Sequence, residues 1–143
     1  MPAKPRFVFD TNAIISAALL KESVPRRAFN KALGSGKLLV STETVEELND
    51  VLARPGFGRY VTEDERLEFL AVLLRETELV EVTHEIHACR DARDNKFLEL
   101  AISGAADCIV SGDQDLLVLH PFQGVPVATP RDFLDDMWRD QMQ

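Results

Sequence analysis

Apolar residues along the chain fall into two patterns that alternate from one end to the other. Short, nearly continuous apolar runs, "RFVF" (6–9), "KLLV" (37–40), "ELVEV" (78–82), "DCIV" (107–110) and "VPVA" (125–128), have the character of strands buried on both faces of a sheet. Between them lie segments with helical spacing. After Asp10 an apolar helical segment opens at a turn. "SVPRRAFNKALGSG" starts with Ser23 and Pro25 and stops at Gly34 and Gly36. "TETVEELNDVLA" ends ahead of Pro55, and "TEDERLEFLAVLLRE" opens with a Thr62 to Glu65 capping box before Leu67, Leu70, Leu73 and Leu74. "RDNKFLELAISGAA" and "PRDFLDDMWRD" supply two shorter helices, the second an amphipathic terminal helix that docks Trp138 on the domain.

Alternating strands and helices require crossover connections, and these build a parallel sheet with helices on both faces. The expected class is α/β, a three-layer α/β/α sandwich on a mostly parallel five-stranded sheet. No linker, repeat or low-complexity tract interrupts the chain, so residues 1–143 read as a single domain. No apolar run approaches the ~18 residues of a membrane span, and "MPAKPRF" lacks the apolar stretch of a signal peptide. A cytoplasmic protein is the expectation. Cys89 and Cys108 read as reduced thiols rather than a disulfide framework.

Charge narrows the chemistry. A formal net charge of -8 excludes a protein that grips nucleic acid through a general positive field, so any such role must be local or metal-assisted. In a doubly wound sheet every strand-to-helix junction lies at the carboxyl edge, where ligands bind at the point of strand-order reversal. Asp10 ends the first strand and Asp113 follows the fourth; with strand order 3-2-1-4-5 these two are neighbours. Glu47 lies about one turn into the helix after the second strand, and Asp94 near the start of the helix after the third. Four carboxylates converge at that edge, where like charges about 4 Å apart repel by roughly 4 kcal/mol at an effective dielectric near 20. A hard divalent cation, Mg2+ or Mn2+, resolves that repulsion and suits all-oxygen ligation.

Each acid also has an ordinary explanation. Asp10 before Thr11 and Asn12 fits a helix cap, Glu47 a residue favoured by the helix dipole, and Asp91 with Asp94 a charged loop whose surface partners are Arg90, Arg93 and Lys96. Their weight comes from the set. "FVFDTNAIISAAL", "STETVEELNDVL", "RDARDNKFLELA" and "IVSGDQDLL", in this order and spacing, resemble the PIN-domain family of metal-dependent ribonucleases, and most closely its VapC-like branch of toxins from toxin-antitoxin pairs. By that resemblance Asp10, Glu47, Asp94 and Asp113 match the four acidic catalytic and metal-binding positions. Thr11, Asn12 and Ser111 match polar supports, and Asp91 and Asp115 are candidates for secondary roles. The resemblance further implies an RNA substrate, a cognate antitoxin protein and a homodimer formed through helices, which "TEDERLEFLAVLLRE" is able to supply. Arg26, Arg27, Lys31, Arg54 and Arg59 are the candidates for a local phosphate-contacting rim.

Two other classes were weighed. A non-catalytic module whose acidic cleft holds a basic partner peptide shares the same acids. A phosphoaspartate phosphatase or receiver-type domain also places Asp after a first strand, but a phosphatase of that kind wants a second Asp where this chain has Asn12, and "VPVATP" lacks a receiver's lysine. His84, His87 and Cys89 read as a solvated loop rather than a zinc site. "GSGK" (34–37) lacks the spacing of a phosphate-binding loop. Tyr60 reads as a loop anchor.

Overall fold

The structure, a computed structural model, describes residues 3–142, with side chains as far as Arg139. Five parallel strands, β1 (Arg6–Phe9), β2 (Lys37–Val40), β3 (Glu78–Leu79), β4 (Cys108–Val110) and β5 (Val127–Ala128), form one sheet in the order β3-β2-β1-β4-β5. The helices are α1 (Thr11–Leu19), α2 (Val24–Ser35), α3 (Thr42–Leu52), α4 (Glu63–Glu76), α5 (Asn95–Ser103), α6 (Gln114–Leu117) and α7 (Pro130–Leu134). The α/β sandwich and strand order expected from the sequence are therefore present.

Side chains alternate across each strand, so β1 serves two cores. Phe7 and Phe9 face a cluster completed by α1, α2, α3, α4 and α7, while Val8 faces a second one built by α5, α6 and Leu39. Caps follow the sequence: Ser23 accepts from the Arg26 amide, and Thr62 and Glu65 form their reciprocal box. On α4, Leu70 and Leu73 are buried but Leu67 and Leu74 are about half exposed, so only part of the leucine stripe packs inward. Both thiols are free, with Cys108 buried in β4. No helix among the described residues is long and apolar enough to cross a membrane.

Three expectations need correction. The third strand ends at Leu79 rather than residue 82, with one further sheet bond from the Val80 amide to the Val40 carbonyl. Beyond it the chain is claimed by α5, which presents Ser103, Glu99 and Asn95 at four-residue spacing. Ser103 accepts from the Thr83 and His84 amides, Glu99 from Ile86, and Asn95 from Ala88 and Cys89. Gly104 lets this end of α5 sit close, since a Cβ there would lie 2.7 Å from Leu39. Second, "PRDFLDDMWRD" is two elements: α7 stops at Leu134 and a 3-10 segment spans Met137–Met142. Asp136 adopts φ 58°, which aspartate tolerates better than most residues, and its carboxylate with the Leu134 carbonyl receives the Lys31 ammonium. The reversal turns Trp138 back onto Phe7 and Phe133, so the docking of Trp138 holds although the helix does not. Third, Tyr60 is 69% exposed, more open than a residue packed as a loop anchor.

Asn95 is buried, and its amide oxygen holds two backbone N–H groups. Asn95→Ala should destabilise the fold by about 1–3 kcal/mol, the scale of leaving buried donors unpaired. Hydrogen exchange checks the cause: protection should fall first at Ala88 and Cys89.

Candidate metal centre and acidic cleft

Parallel pairing of β1 with β4, Phe9 opposite Val110, brings the residues after each strand side by side. The ladder continues for one bond, from the Asp10 amide to the Val110 carbonyl at 3.1 Å. Asp10 is thereby fixed at the reversal point and buried. Its Oδ1 accepts from the Ala13 amide at 2.8 Å, capping α1, and its Oδ2 accepts from the Ser111 hydroxyl. Ser111 Oγ in turn accepts from the Asp113 amide at 2.9 Å, and Asp113 caps α6 by accepting from the Asp115 amide at 2.9 Å. Cap and site are thus one arrangement: the caps orient the carboxylates.

From the other side of the edge, Thr11 donates its hydroxyl to Glu47 Oε1 at 2.5 Å, and Lys96 is ion-paired with Glu47 Oε2. Asp94 closes the 3-10 turn Ala92–Asp94 at the start of α5 and makes no side-chain cap bond, leaving its carboxylate directed at its acidic neighbours. Asp91 instead caps that turn and pairs with Arg93, which holds its carboxyl down at about 2. Asp115 accepts from Arg90 at 3.0 Å.

The cleft enclosed by these elements has a volume of about 310 Å³ and is lined by Asp10, Thr11, Asn12, Glu47, Val51, Arg54, Asp91, Arg93, Asp94, Phe97 and Asp113. All four acids singled out in the sequence border it. Of the five cations placed at a rim, Arg54 lines the cleft; Arg26, Arg27 and Arg59 do not, and Lys31 is committed to Leu134 and Asp136. Arg93 is the exposed partner of Asp91 that the sequence suggests, and both it and Lys96 also touch the site. Arg93 lines the cleft, and Lys96, 11% exposed at its side chain, is bound to Glu47.

Electrostatics reflect crowding. Burial, then the charge of Asp113 and Asp91, pushes the Asp94 carboxyl up to about 6. Asp10 is also raised, chiefly by burial, against the lowering effect of its Ser111 and Ala13 donors. Oxygens of Asp94, Asp113 and Asp115 lie within 4.8 Å of one another, an all-carboxylate set of the kind a hard divalent cation takes. Burial and the same acids push the Cys89 thiol up to about 11, so it stays protonated at neutral pH and is a poor soft-metal ligand. His84 bonds Thr83 and Ser103, and His87 bonds Glu85.

A raised carboxyl binds a proton in the folded state that it lacks unfolded. Between the unfolded value near 4 and about 6, lowering the pH therefore favours the fold. Metal-free protein should melt at a higher temperature at pH 5.5 than at pH 7, and saturating Mn2+ should shrink that gap; calorimetry at both pH values checks it.

A doubly wound parallel sheet with an acidic cleft at its switch point defines an α/β protein with a candidate cation-binding site at the carboxyl edge of the sheet. The particular family is set by sequence: the chain belongs to the PIN domain family, whose sequence profile matches residues 6–115. It is also similar to an uncharacterized protein of Methanocaldococcus jannaschii, MJ1680, at 25% identity over 93% of this chain and 92% of that protein. Among solved structures, the crystal structure of VapBC2 from Rickettsia felis bound to a DNA fragment from their promoter shares the fold. The TM-score is 0.55 at 12% identity, covering 87% of this chain and 98% of that one.

Proposed function

We infer that this protein is a Mg2+- or Mn2+-dependent endoribonuclease, the toxin of a toxin-antitoxin pair, folded as a single PIN-like domain. The observation that carries the reading is the convergence of Asp10, Glu47, Asp94 and Asp113 on one open cleft of a PIN-family chain. Asp94 and Asp113 would hold the cation, with Asp10 and Glu47 beside them at the cleft. When bound, the ion polarises a phosphodiester and lowers the pKa of an attacking water.

The protein's own groups do the rest. Ser111 orients Asp10 and the backbone of Asp113 at once, and Thr11 orients Glu47. Asp91 and Asp115 support the edge through Arg93 and Arg90, and exposed Asn12 faces incoming substrate. Arg54 and Arg93 give a net-acidic protein a local purchase on RNA phosphates. Asp10 suits this role better than that of a phosphoaspartate nucleophile, because it is 4% exposed and both its oxygens are engaged.

The proposed partners are RNA, a cognate antitoxin protein and a second copy of the chain in a cytoplasmic setting. The half-exposed Leu67 and Leu74 on α4 favour a helical dimer contact. The antitoxin rests on the family resemblance and the fold shared with VapBC2. Because water is the nucleophile, cleaved RNA should carry 5'-phosphate and 3'-hydroxyl ends. End-labelling of the products tests this, and 2',3'-cyclic phosphate ends would contradict it.

A further inference from the structure

Within the cleft the carboxylates are not equivalent once their donors are counted. Glu47 is engaged at both oxygens, by the Thr11 hydroxyl and the Lys96 ammonium. Asp10 is engaged at both, by Ala13 and Ser111. Asp94 has no side-chain cap bond, and Asp113 gives one oxygen to the Asp115 amide. The carboxylate group compact enough for one cation, Asp94 with Asp113 and Asp115, excludes Glu47.

Lys96 is the second independent observation. Its side chain is 11% exposed, against 83% for Arg93 at the same cleft, so it is no solvated surface charge. It bridges α5 to α3 and brings a full positive charge to the Glu47 side of the cleft. A cation on Glu47 would have to sit beside that ammonium and meet its like charge. The pair is part-buried, and removal of either partner leaves the other's charge unpaired at the cleft wall.

We propose that Lys96 is a built-in counter-ion that withholds Glu47 from the metal shell, making this a one-ion centre held by Asp94 and Asp113. Glu47 is then a positioning residue: it fixes Thr11 and the ammonium at the cleft wall. The assignment rests on the metal-dependent reading above and narrows it.

The test counts Mn2+ ions directly, by titration calorimetry and by the loss of the free Mn2+ paramagnetic signal, on the full chain with circular dichroism as the folding control. Wild type should take up one ion, and Glu47→Gln should keep that count. Lys96→Met should admit a second, weaker ion through the freed Glu47. The Lys96→Met/Glu47→Gln double variant should return to one, and Lys96→Arg, which keeps the charge, should stay at one. A role for Lys96 in folding alone would not produce a second ion that Glu47→Gln then removes. Two ions on the wild type, or a Glu47→Gln variant that no longer takes up its one ion, would overturn the assignment and leave the nuclease reading standing. A wild type that binds no Mn2+ would overturn both.

Discussion

Asp94→Asn should abolish Mn2+-dependent cleavage of RNA, lowering the rate by roughly 10³-fold or more, the scale of removing a charge-stabilising group from a catalytic centre. The substitution separates function from folding because the Asp94 carboxylate caps nothing: asparagine keeps the shape and forfeits no side-chain cap bond. It also removes the carboxyl that burial and the charges of Asp113 and Asp91 push up to about 6. The metal-free variant should therefore be at least as stable as wild type at pH 7 while losing the stabilisation that Mn2+ confers. Cleavage assays and thermal melts with and without Mn2+ measure both halves. A variant that cleaves normally, or that still gains stability from Mn2+, would remove Asp94 from the site.

Phe133→Ala should be the most damaging substitution remote from the cleft. Phe133 is 1% exposed and meets Phe7 edge-on at 4.9 Å, Phe9 edge-on at 5.7 Å and Trp138 in a stack at 6.1 Å. Truncation of a buried aromatic costs about 3–5 kcal/mol, transfer and cavity terms together. The melting temperature should fall by on the order of 10 °C. Trp138, the single tryptophan, reports the loss: its emission should move toward that of exposed indole before the far-ultraviolet signal collapses. Retention of the wild-type melting temperature would mean that the terminal 3-10 segment does not close this core.

Where a local pattern has one physical solution, it was visible in the chain. "RFVF" and "KLLV" are strands with the bounds their apolar runs imply, because a run of that length between turn residues buries well only in a sheet centre. Asp10 and Asp113 were placed by topology alone, since a residue that ends a parallel strand must lie on the carboxyl edge. What stayed hidden depended on long-range partners. "ELVEV" reads as a strand throughout, yet from Thr83 onward its amides find Ser103, Glu99 and Asn95 on a helix. The break between Leu134 and Met137 depends on Lys31, more than a hundred residues away. Lys96 looked like a surface charge because nothing in "RDNKF" announces that Glu47 of α3 will face it. The same separation applies to the rim: Arg54 shares a sequence neighbourhood with the cleft helix α3, whereas Lys31 was drawn to the opposite end of the molecule by Asp136.

Incubation of a mixed-sequence RNA with the purified protein and Mn2+, beside an EDTA control and the Asp94→Asn variant, decides whether the acidic cleft is a nuclease centre. The expected result is cleavage that chelation and the substitution each eliminate. Cleavage that persists in EDTA or in Asp94→Asn would contradict it.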